Sequence, residues 1–465
     1  MEAVEAAAGR RVTLSTLLGL ASALVGFGIG AQKLGDNSFL THLATGRRMI
    51  DEGVVREDAF TWTSNGESLV VQSWLASLLY GIVDELGGFG GLRLLMAATA
   101  GVLGWLVWRL TERSPSVATR FIVVVPVLFI GLRTWNERPL LLAFVFLASA
   151  LVVSERGSDP RWLAVIGVLW VNVHGSWPLG IVLLAARWFG GRLDRDDAST
   201  HDFRTAAWLG GGMLVGGVVN PYGPAMLWFP VELLGKQDTL QHISEWQASS
   251  FESTWTRLFL VLIAAAVFAS RRAPLRLVVP GVLFVVAALL SARNIPVAVL
   301  VLIPLLAAGL PDVAGPPADR DSSAIRLATA ALAAMVAVLA VMTQSGPHTS
   351  VERYPIEAVD AMEELGLSPA DNHVVHQDFV GNFLDLRFGP VGATWIDDRF
   401  ELHDADLVED YLALLHAEPE WRDVIDRHDP AAVLWERDRV LVELLTTDGW
   451  SVAWSDDDWV VLTPA

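Results

Sequence analysis

The sequence predicts a polytopic α-helical membrane protein that ends in a soluble α/β domain, on three observations. The 465 residues are 53% apolar with a mean hydropathy of +0.44. That is higher than an ordinary soluble enzyme carries and rules out a disordered or fibrous chain. Apolar runs recur along residues 12–342. Finally, the formal net charge of −19 is unevenly placed. Residues 351–465 hold 27 Asp and Glu against 7 Arg, or −20, while the other 350 residues hold 25 acids and 26 bases, or +1. A near-neutral apolar body is followed by an acidic tail.

The first span is Val12–Gly30, close to the ~20 residues a crossing needs. Arg10 and Arg11 precede it, and no A-x-A site follows, so it reads as a retained helix rather than a signal peptide. Ten more runs follow: Gly91–Leu110, Phe121–Leu132, Leu140–Val153, Trp162–Val171, Leu179–Trp188, Ala206–Val219, Leu258–Ser270, Leu277–Leu290, Ile295–Leu310 and Leu327–Met342. The expectation is about 11 transmembrane helices within residues 1–343. Several runs are shorter than a straight span, which is tolerated where a helix lines a cavity. Alternate connections carry the arginines: Arg109, Arg113 and Arg120; Arg156 and Arg161; Arg187, Arg192, Arg195 and Arg204; Arg271, Arg272 and Arg276; Arg320 and Arg326. The positive-inside rule places these connections and the N-terminus in the cytoplasm. Eleven spans then place the tail outside the cell membrane; one span more or fewer reverses that.

The opposite connections gather the polar chemistry. They are the first outer loop (36–73), the turn Arg133–Pro139, the turn Asn172–Pro178, the turn Asn220–Gly223, the stretch Val231–Thr254 and Ala292–Pro296. Polar groups collected at one face of an apolar body point to an outward cavity. In the first loop, Phe39, Leu40, Leu43, Met49 and Ile50 fall near helical spacing, which predicts an amphipathic helix on the membrane surface. Trp74–Gly87, ending in Asp84 and Glu85, predicts a second.

Each polar residue has two readings. Asp36 suits a general base or a metal ligand at the membrane boundary, and equally a helix N-cap. Asp58 has the same ambiguity. His174 suits a substrate contact or a hydrogen-bonded helix end. Glu137 and Arg138 pair with each other or meet substrate. Asn220-Pro-Tyr222-Gly is a helix stop whose Tyr faces a ligand or packs. Glu245-Trp246 is a rim contact or an interfacial anchor. Arg293 grips a phosphate or serves a helix C-terminus.

Taken together the motifs resemble a family of bacterial and archaeal membrane proteins related to the GT-C glycosyltransferases. A family pattern like D-x-D-L-W-W-H-L-A-T-G-R is matched by Asp36-Asn-Ser38-Phe-Leu-Thr-His42-Leu-Ala-Thr-Gly-Arg47. P-R-x-D-P-F-S-W-T is matched by Val55-Arg56-Glu-Asp58-Ala-Phe60-Thr-Trp62-Thr63, and H-E-W-L by Gln72-Ser73-Trp74-Leu75. The R-P, W-x-N-x-H-G-G, N-P-Y-G and E-W elements resemble Arg138-Pro139, Trp170–Gly175, Asn220–Gly223 and Glu245-Trp246. Y-x-x-G-Y-L and I-D-x-R resemble Phe379–Leu384 and Ile396-Asp397-Asp398-Arg399. The second acid of D-x-D is Ser38 here, and the acid of H-E-W is Ser73.

The resemblance implies a glycosyltransferase that takes a sugar from a polyprenyl-phosphate-linked donor and passes it to an acceptor on the extracytoplasmic face. Asp36 and Asp58 are the implied catalytic acids. Arg138 or Arg293 is the implied phosphate partner, and Asn172, His174 and Tyr222 orient sugar hydroxyls. His42, Arg47, Glu137, Asn220, Glu245, Trp246 and Asn294 complete the implied substrate-binding set. A divalent cation, Mg or Mn, is compatible with the pattern, though the missing acids at Ser38 and Ser73 weaken such a site. The alternatives are a non-catalytic membrane subunit and a transporter of a lipid-linked solute. The partners expected are the bilayer, the donor and an acceptor. Nucleic acid is not among them, since no basic tract is present to neutralise phosphates. With no cysteine, disulfides, thiolate catalysis and Cys-held metals are excluded.

The tail, residues 351–465, predicts an α/β domain. Expected helices are Ile356–Leu365, Phe379–Arg387, Leu407–His416, Trp421–Arg427 and Leu441–Leu445. Expected strands are 374–375, Thr394–Ile396, Ala432–Trp435 and a hairpin, Trp450–Trp454 with Trp459–Leu462, around Asp456–Asp458. Asp397 and Arg399 are open to a strand-end pair or an acceptor site. The short linker Gln344–Ser350 predicts a domain held close over the outer face.

Overall fold

The computed structural model describes residues 12–235 and 247–465. Contacts divide the chain into two compact units, whose described parts are residues 12–33, 87–220 and 247–348, and residues 34–86, 221–235 and 349–465. Each of the eleven apolar runs lies within a helix or overruns its end by no more than two residues.

The first unit is a helical bundle. Its elements are α1 (Leu14–Gly30), the second half of α3 (Trp74–Leu110), α4 (Val117–Thr134), α5 (Leu140–Arg156), α6 (Trp162–Val173), α7 (Pro178–Asp194), α8 (Ala198–Val218), α10 (Thr254–Ala269), α11 (Leu275–Leu290), α12 (Ile295–Gly309) and α13 (Ser323–Met342). Among the described residues, four stretches are long and apolar enough to cross a membrane: Trp74–Leu110, Val117–Thr134, Ala292–Gly309 and Ser323–Met342. α12 is apolar and buried along almost its whole length, as the central element of a bundle must be. α13 is the opposite: equally apolar, it buries only Ile325, so it presents its surface outward. α6 and α8 cross on glycine. A Cβ at Gly212 would lie 2.0 Å from the Ala164 carbonyl oxygen, and one at Gly167 would lie 2.3 Å from that of Leu209. Small residues permit this backbone approach in a medium where packing drives association. α3 is one element in the hydrogen-bond pattern but breaks at Gly88, where φ is 56° and ψ −158°. Only glycine holds such a conformation without strain, so the run divides where the sequence separates a charged helix from an apolar one.

Part of the arginine-rich set that the sequence assigns to one side is buried. Arg187 on α7 pairs with Glu155 of α5, which also takes Arg113. Arg276 on α11 donates to both oxygens of Asp202 on α8, at 2.6 and 2.8 Å, and to the Ser154 carbonyl at 2.8 Å. Buried charges persist only when paired in this way.

The second unit is a three-layer α/β structure built with α2 (Asn37–Glu52), the first half of α3 and α9 (Ala225–Gly235). Its sheet has four strands in the order β1-β2-β4-β3: β1 (Val374–His376), β2 (Ala432–Glu436), β3 (Ser451–Ser455) and β4 (Trp459–Thr463). β1 and β2 are parallel, and β4 runs antiparallel to both β2 and β3. Val375, Val433, Trp435, Val460 and Leu462 face α16 (Ala405–Leu415), α17 (Trp421–His428) and α18 (Val440–Thr447). Val374, Leu434 and Val461 face α14 (Ile356–Glu364) and α15 (Asp378–Phe388). Both faces are covered, which explains why β1, β2 and β4 read as continuous apolar runs rather than as alternation.

Two expectations are corrected. Thr394–Ile396 is not a strand of the sheet. It makes an isolated parallel bridge to the first loop, with Thr394 N donating to Phe60 O at 3.0 Å and Trp62 N to Thr394 O at 2.9 Å. Its β-type residues serve a different partner. The apolar face of α2 does not lie on a membrane surface, because Phe39, Leu40 and Leu43 are buried within the unit, where α2 packs on α15.

Candidate functional site

The first turn of α2 carries the start of the first-loop motif and meets the tail. Asp36 takes the N-cap position with extended backbone and no side-chain cap bond. Asn37 Nδ2 donates to Asn382 Oδ1 at 3.0 Å, Ser38 Oγ to Asp398 Oδ2 at 2.5 Å and Thr41 Oγ1 to Asp385 Oδ2 at 3.0 Å. Asn382 Nδ2 in turn donates to Asp398 Oδ1 at 2.5 Å. The hydroxyl of Ser38, which stands where the resembling family has an acid, is thus bound to a carboxylate supplied by the tail.

Behind this turn lies a buried ionic core. Asp58, 1% exposed, accepts from Thr61 N at 2.9 Å and Thr61 Oγ1 at 2.7 Å, and its other oxygen lies 2.8 Å from Arg399 Nη1. Arg399 Nε donates to Asp397 Oδ2 at 2.9 Å, and its guanidinium stands over Phe60 at 5.4 Å. His403 sits between Asp397 and Ser64, at 3.3 Å from each. Burial disfavours the Asp397 anion, but Arg399 and His403 outweigh it and hold its carboxyl well below the usual range. Asp385 goes the other way. Burial first, then the Asp397 charge, push it well above the usual range, and its two oxygens accept from Thr394 Oγ1 at 2.7 Å and from Thr41 Oγ1. Two motifs far apart in the sequence, around Asp58 and around Asp397-Asp398-Arg399, are two halves of one polar core. Asp58 here holds the first loop to the tail.

Of the remaining predicted residues in this unit, His42 Nδ1 lies 3.1 Å from Ser77 Oγ, and Arg47 Nε donates to Asp84 at 2.8 Å. Tyr222 donates to Val55 O at 2.7 Å, and its phenol is pushed by burial up to about 12. Arg56 stands over that ring at 5.8 Å and donates to Pro221 O at 2.7 Å. A groove of about 360 Å³ is bordered by Glu352, Glu357 and the Asp456–Asp458 turn. The turn itself is closed by Asp456 Oδ1, which accepts from Asp458 N and Trp459 N.

In the helical bundle, Asn172 and Asn220 converge. Both donate to Gly216 O, at 3.2 and 3.1 Å, with second bonds to Val168 O and Gly217 O. His174 caps its own turn, its Nδ1 accepting from Ser176 N at 3.0 Å. Arg293 and Asn294 form a 3-10 turn between α11 and α12, and Asn294 Nδ2 donates to Ala287 O at 3.2 Å. Arg138 precedes α5 and accepts at its carbonyl from Leu141 N at 3.0 Å. Glu137 lines a cavity of about 80 Å³ with Lys33 and Arg133. Glu245 and Trp246 lie outside the described residues.

A divalent cation finds no fitting donor set among the described residues. Among the described residues no three His, Asp or Glu side chains group as metal ligands, and the second position of the first-loop pattern is a hydroxyl already bound to Asp398. The residues that the sequence does not announce are Asp385, His376 and His403. No local spacing distinguishes any of them from a surface residue.

No protein-family profile and no curated protein sequence matches the chain. Among solved structures the chain is similar to the Archaeoglobus fulgidus oligosaccharyltransferase, solved tethered through a disulfide bond to an acceptor peptide containing the NVT sequon. The TM-score is 0.52 at 14% identity, over 90% of this chain and 69% of that one. At that identity the likeness is one of fold alone.

Proposed function

We propose that this chain is an integral membrane glycosyltransferase of the cell membrane, which transfers a sugar from a polyprenyl-phosphate-linked donor to an acceptor on the extracytoplasmic face. The observation that carries this reading is the likeness of fold to an oligosaccharyltransferase over 90% of the chain. The order of the polar motifs along the sequence supports it. In the proposed reaction the acceptor oxygen forms a bond to the anomeric carbon while the bond from that carbon to the phosphate oxygen breaks. The electron pair leaves with the lipid phosphate. Asp36 takes the acceptor proton, and Arg138 or Arg293 stabilises the leaving phosphate charge. Asn172, His174 and Tyr222 hold sugar hydroxyls, directly or from behind. No step requires a metal.

A second reading, a non-catalytic membrane subunit, is favoured by one observation: Asp58 and Ser38 are engaged by Arg399 and Asp398 of the tail. Transfer of radiolabelled sugar from polyprenyl-phosphate donors in membranes containing the chain separates the two. The enzyme reading expects transfer by the wild type and its loss, by a factor of 100 or more, in Asp36→Asn with the protein still folded. Undiminished turnover in Asp36→Asn overturns the assignment of Asp36. Absence of transfer by the wild type with every donor favours the subunit.

A further inference from the structure

The turn after α4 carries a group that the proposed reaction does not use. Arg133 is in the last turn of α4, exposed, and makes no hydrogen bond or ion pair with any described residue. It lines the cavity of about 80 Å³ together with Lys33, which follows α1, and Glu137. Met96, Leu132 and Trp135 supply its apolar wall. Lys33 and Glu137 already have interactions in the structure, so the open donor at this cavity is the guanidinium. A helix C-terminus favours a cation by its dipole. That accounts for a basic residue at this position, but not for a second cation and an apolar wall around one partly open cavity.

The chemistry of such a space is specific. It is far smaller than the 300 Å³ or so at which drug-sized ligands begin to fit, so a sugar ring is excluded. One tetrahedral anion matches its size. A planar guanidinium presents paired N–H donors that suit two oxygens of a phosphate, and an ammonium adds a point charge. The apolar wall suits the first carbons of a lipid chain rather than bulk water. Long basic side chains at the ends of membrane helices reach the headgroup level.

We propose that Arg133, assisted by Lys33, binds the phosphate of a lipid at the α1–α4 end of the bundle, with the chain of that lipid against Met96, Leu132 and Trp135. The inference rests on the lipid-linked donor reading for its setting, but it concerns phosphate binding rather than transfer. The phosphate comes either from a prenyl phosphate or from a bilayer phospholipid, and the test separates them.

Binding is measured on the purified full chain in detergent with farnesyl phosphate as probe, farnesol as its uncharged counterpart, and phosphatidylglycerol as competitor. Losing a charge-assisted hydrogen bond corresponds to roughly tenfold to a hundredfold in affinity. Arg133→Gln is therefore expected to bind farnesyl phosphate at least about tenfold more weakly than the wild type. Arg133→Lys, which keeps the charge, retains most of the affinity, and farnesol binding is weak in all three. Displacement by phosphatidylglycerol identifies the bilayer lipid as the source; failure to displace identifies the prenyl phosphate. Equal affinity of the wild type and Arg133→Gln for farnesyl phosphate overturns the proposal, as does farnesol binding as tight as that of its phosphate. Sugar transfer by a chain whose binding ignores Arg133 overturns this inference alone. Arg133-dependent binding by a wild-type chain that transfers nothing overturns the transferase reading alone.

Discussion

His376 in β1 gives the most quantitative prediction. It is wholly buried, with its ring held at both ends. Nδ1 and the Gln377 carbonyl oxygen are 2.9 Å apart, and Nε2 lies 2.8 Å from the Trp395 amide nitrogen, whose N–H it accepts. The ring is therefore neutral with its proton on Nδ1. Protonating Nε2 turns an acceptor into a donor facing a donor. Burial lowers its pKa from 6.5 to about 4, against the smaller upward pull of the Gln377 carbonyl and Asp397. The sign follows by linkage. Between pH 6.5 and pH 4 the unfolded chain takes a proton that the folded chain refuses, so this contribution is intact above 6.5 and is lost as pH falls toward 4. With those two values the loss is about 2 kcal/mol between pH 7 and pH 5 and reaches about 3 kcal/mol below pH 4. The assay is urea unfolding of the full chain in detergent, followed by tryptophan fluorescence, for the wild type and His376→Gln. The variant removes the titration and keeps an amide able to accept from Trp395. Its loss of stability between pH 7 and pH 5 should be about 2 kcal/mol smaller than that of the wild type. Equal pH dependence in the two chains refutes a neutral, amide-bound His376.

Two further predictions concern the ionic core. Arg399→Met leaves Asp58 and Asp397 buried without their cation, and should cost about 3–5 kcal/mol. Thermal melting registers this as a fall of many degrees, part of which Asp58→Asn restores in the double variant; an unchanged melt contradicts the pairing. Asp385→Asn replaces a carboxyl whose pKa burial and the Asp397 charge raise. A raised carboxyl contributes its full stability only below about pH 3.9, where the unfolded chain is protonated too, and loses it as pH rises. The variant should therefore melt higher than the wild type at pH 7 and vary less between pH 4 and pH 7. A lower melt at pH 7 argues that Asp385 is ionised.

Much of the fold was legible because its signals are local. The run Ile295–Leu310 contains no charged residue, and it became the buried α12. Val374-Val375, Ala432–Trp435 and Trp459–Leu462 became strands of the sheet because two covered faces demand continuous apolar residues. The reading of Thr394–Ile396 failed because β propensity reports a preference for extended backbone, not a choice of partner. The site was less legible than the fold. Asp58 has the same local appearance as a turn residue, a cap or a catalytic acid, and Asp385 gives no sign of the burial that raises its pKa.

The sequence by itself determined that an apolar near-neutral stretch precedes an acidic tail, and most of the helices and strands in each. These follow from hydropathy, charge and periodicity, which act between residues a few positions apart. Only the tertiary structure decided that residues 34–86 and 221–235 belong to one compact unit with residues 349–465, and which charges neutralise one another. Asp58 and Arg399 are 341 positions apart, yet they meet at 2.8 Å, and Ser38 meets Asp398 across 360. A buried charge must find an opposite charge or a proton, and packing, which carries no local signature, determines which one it meets.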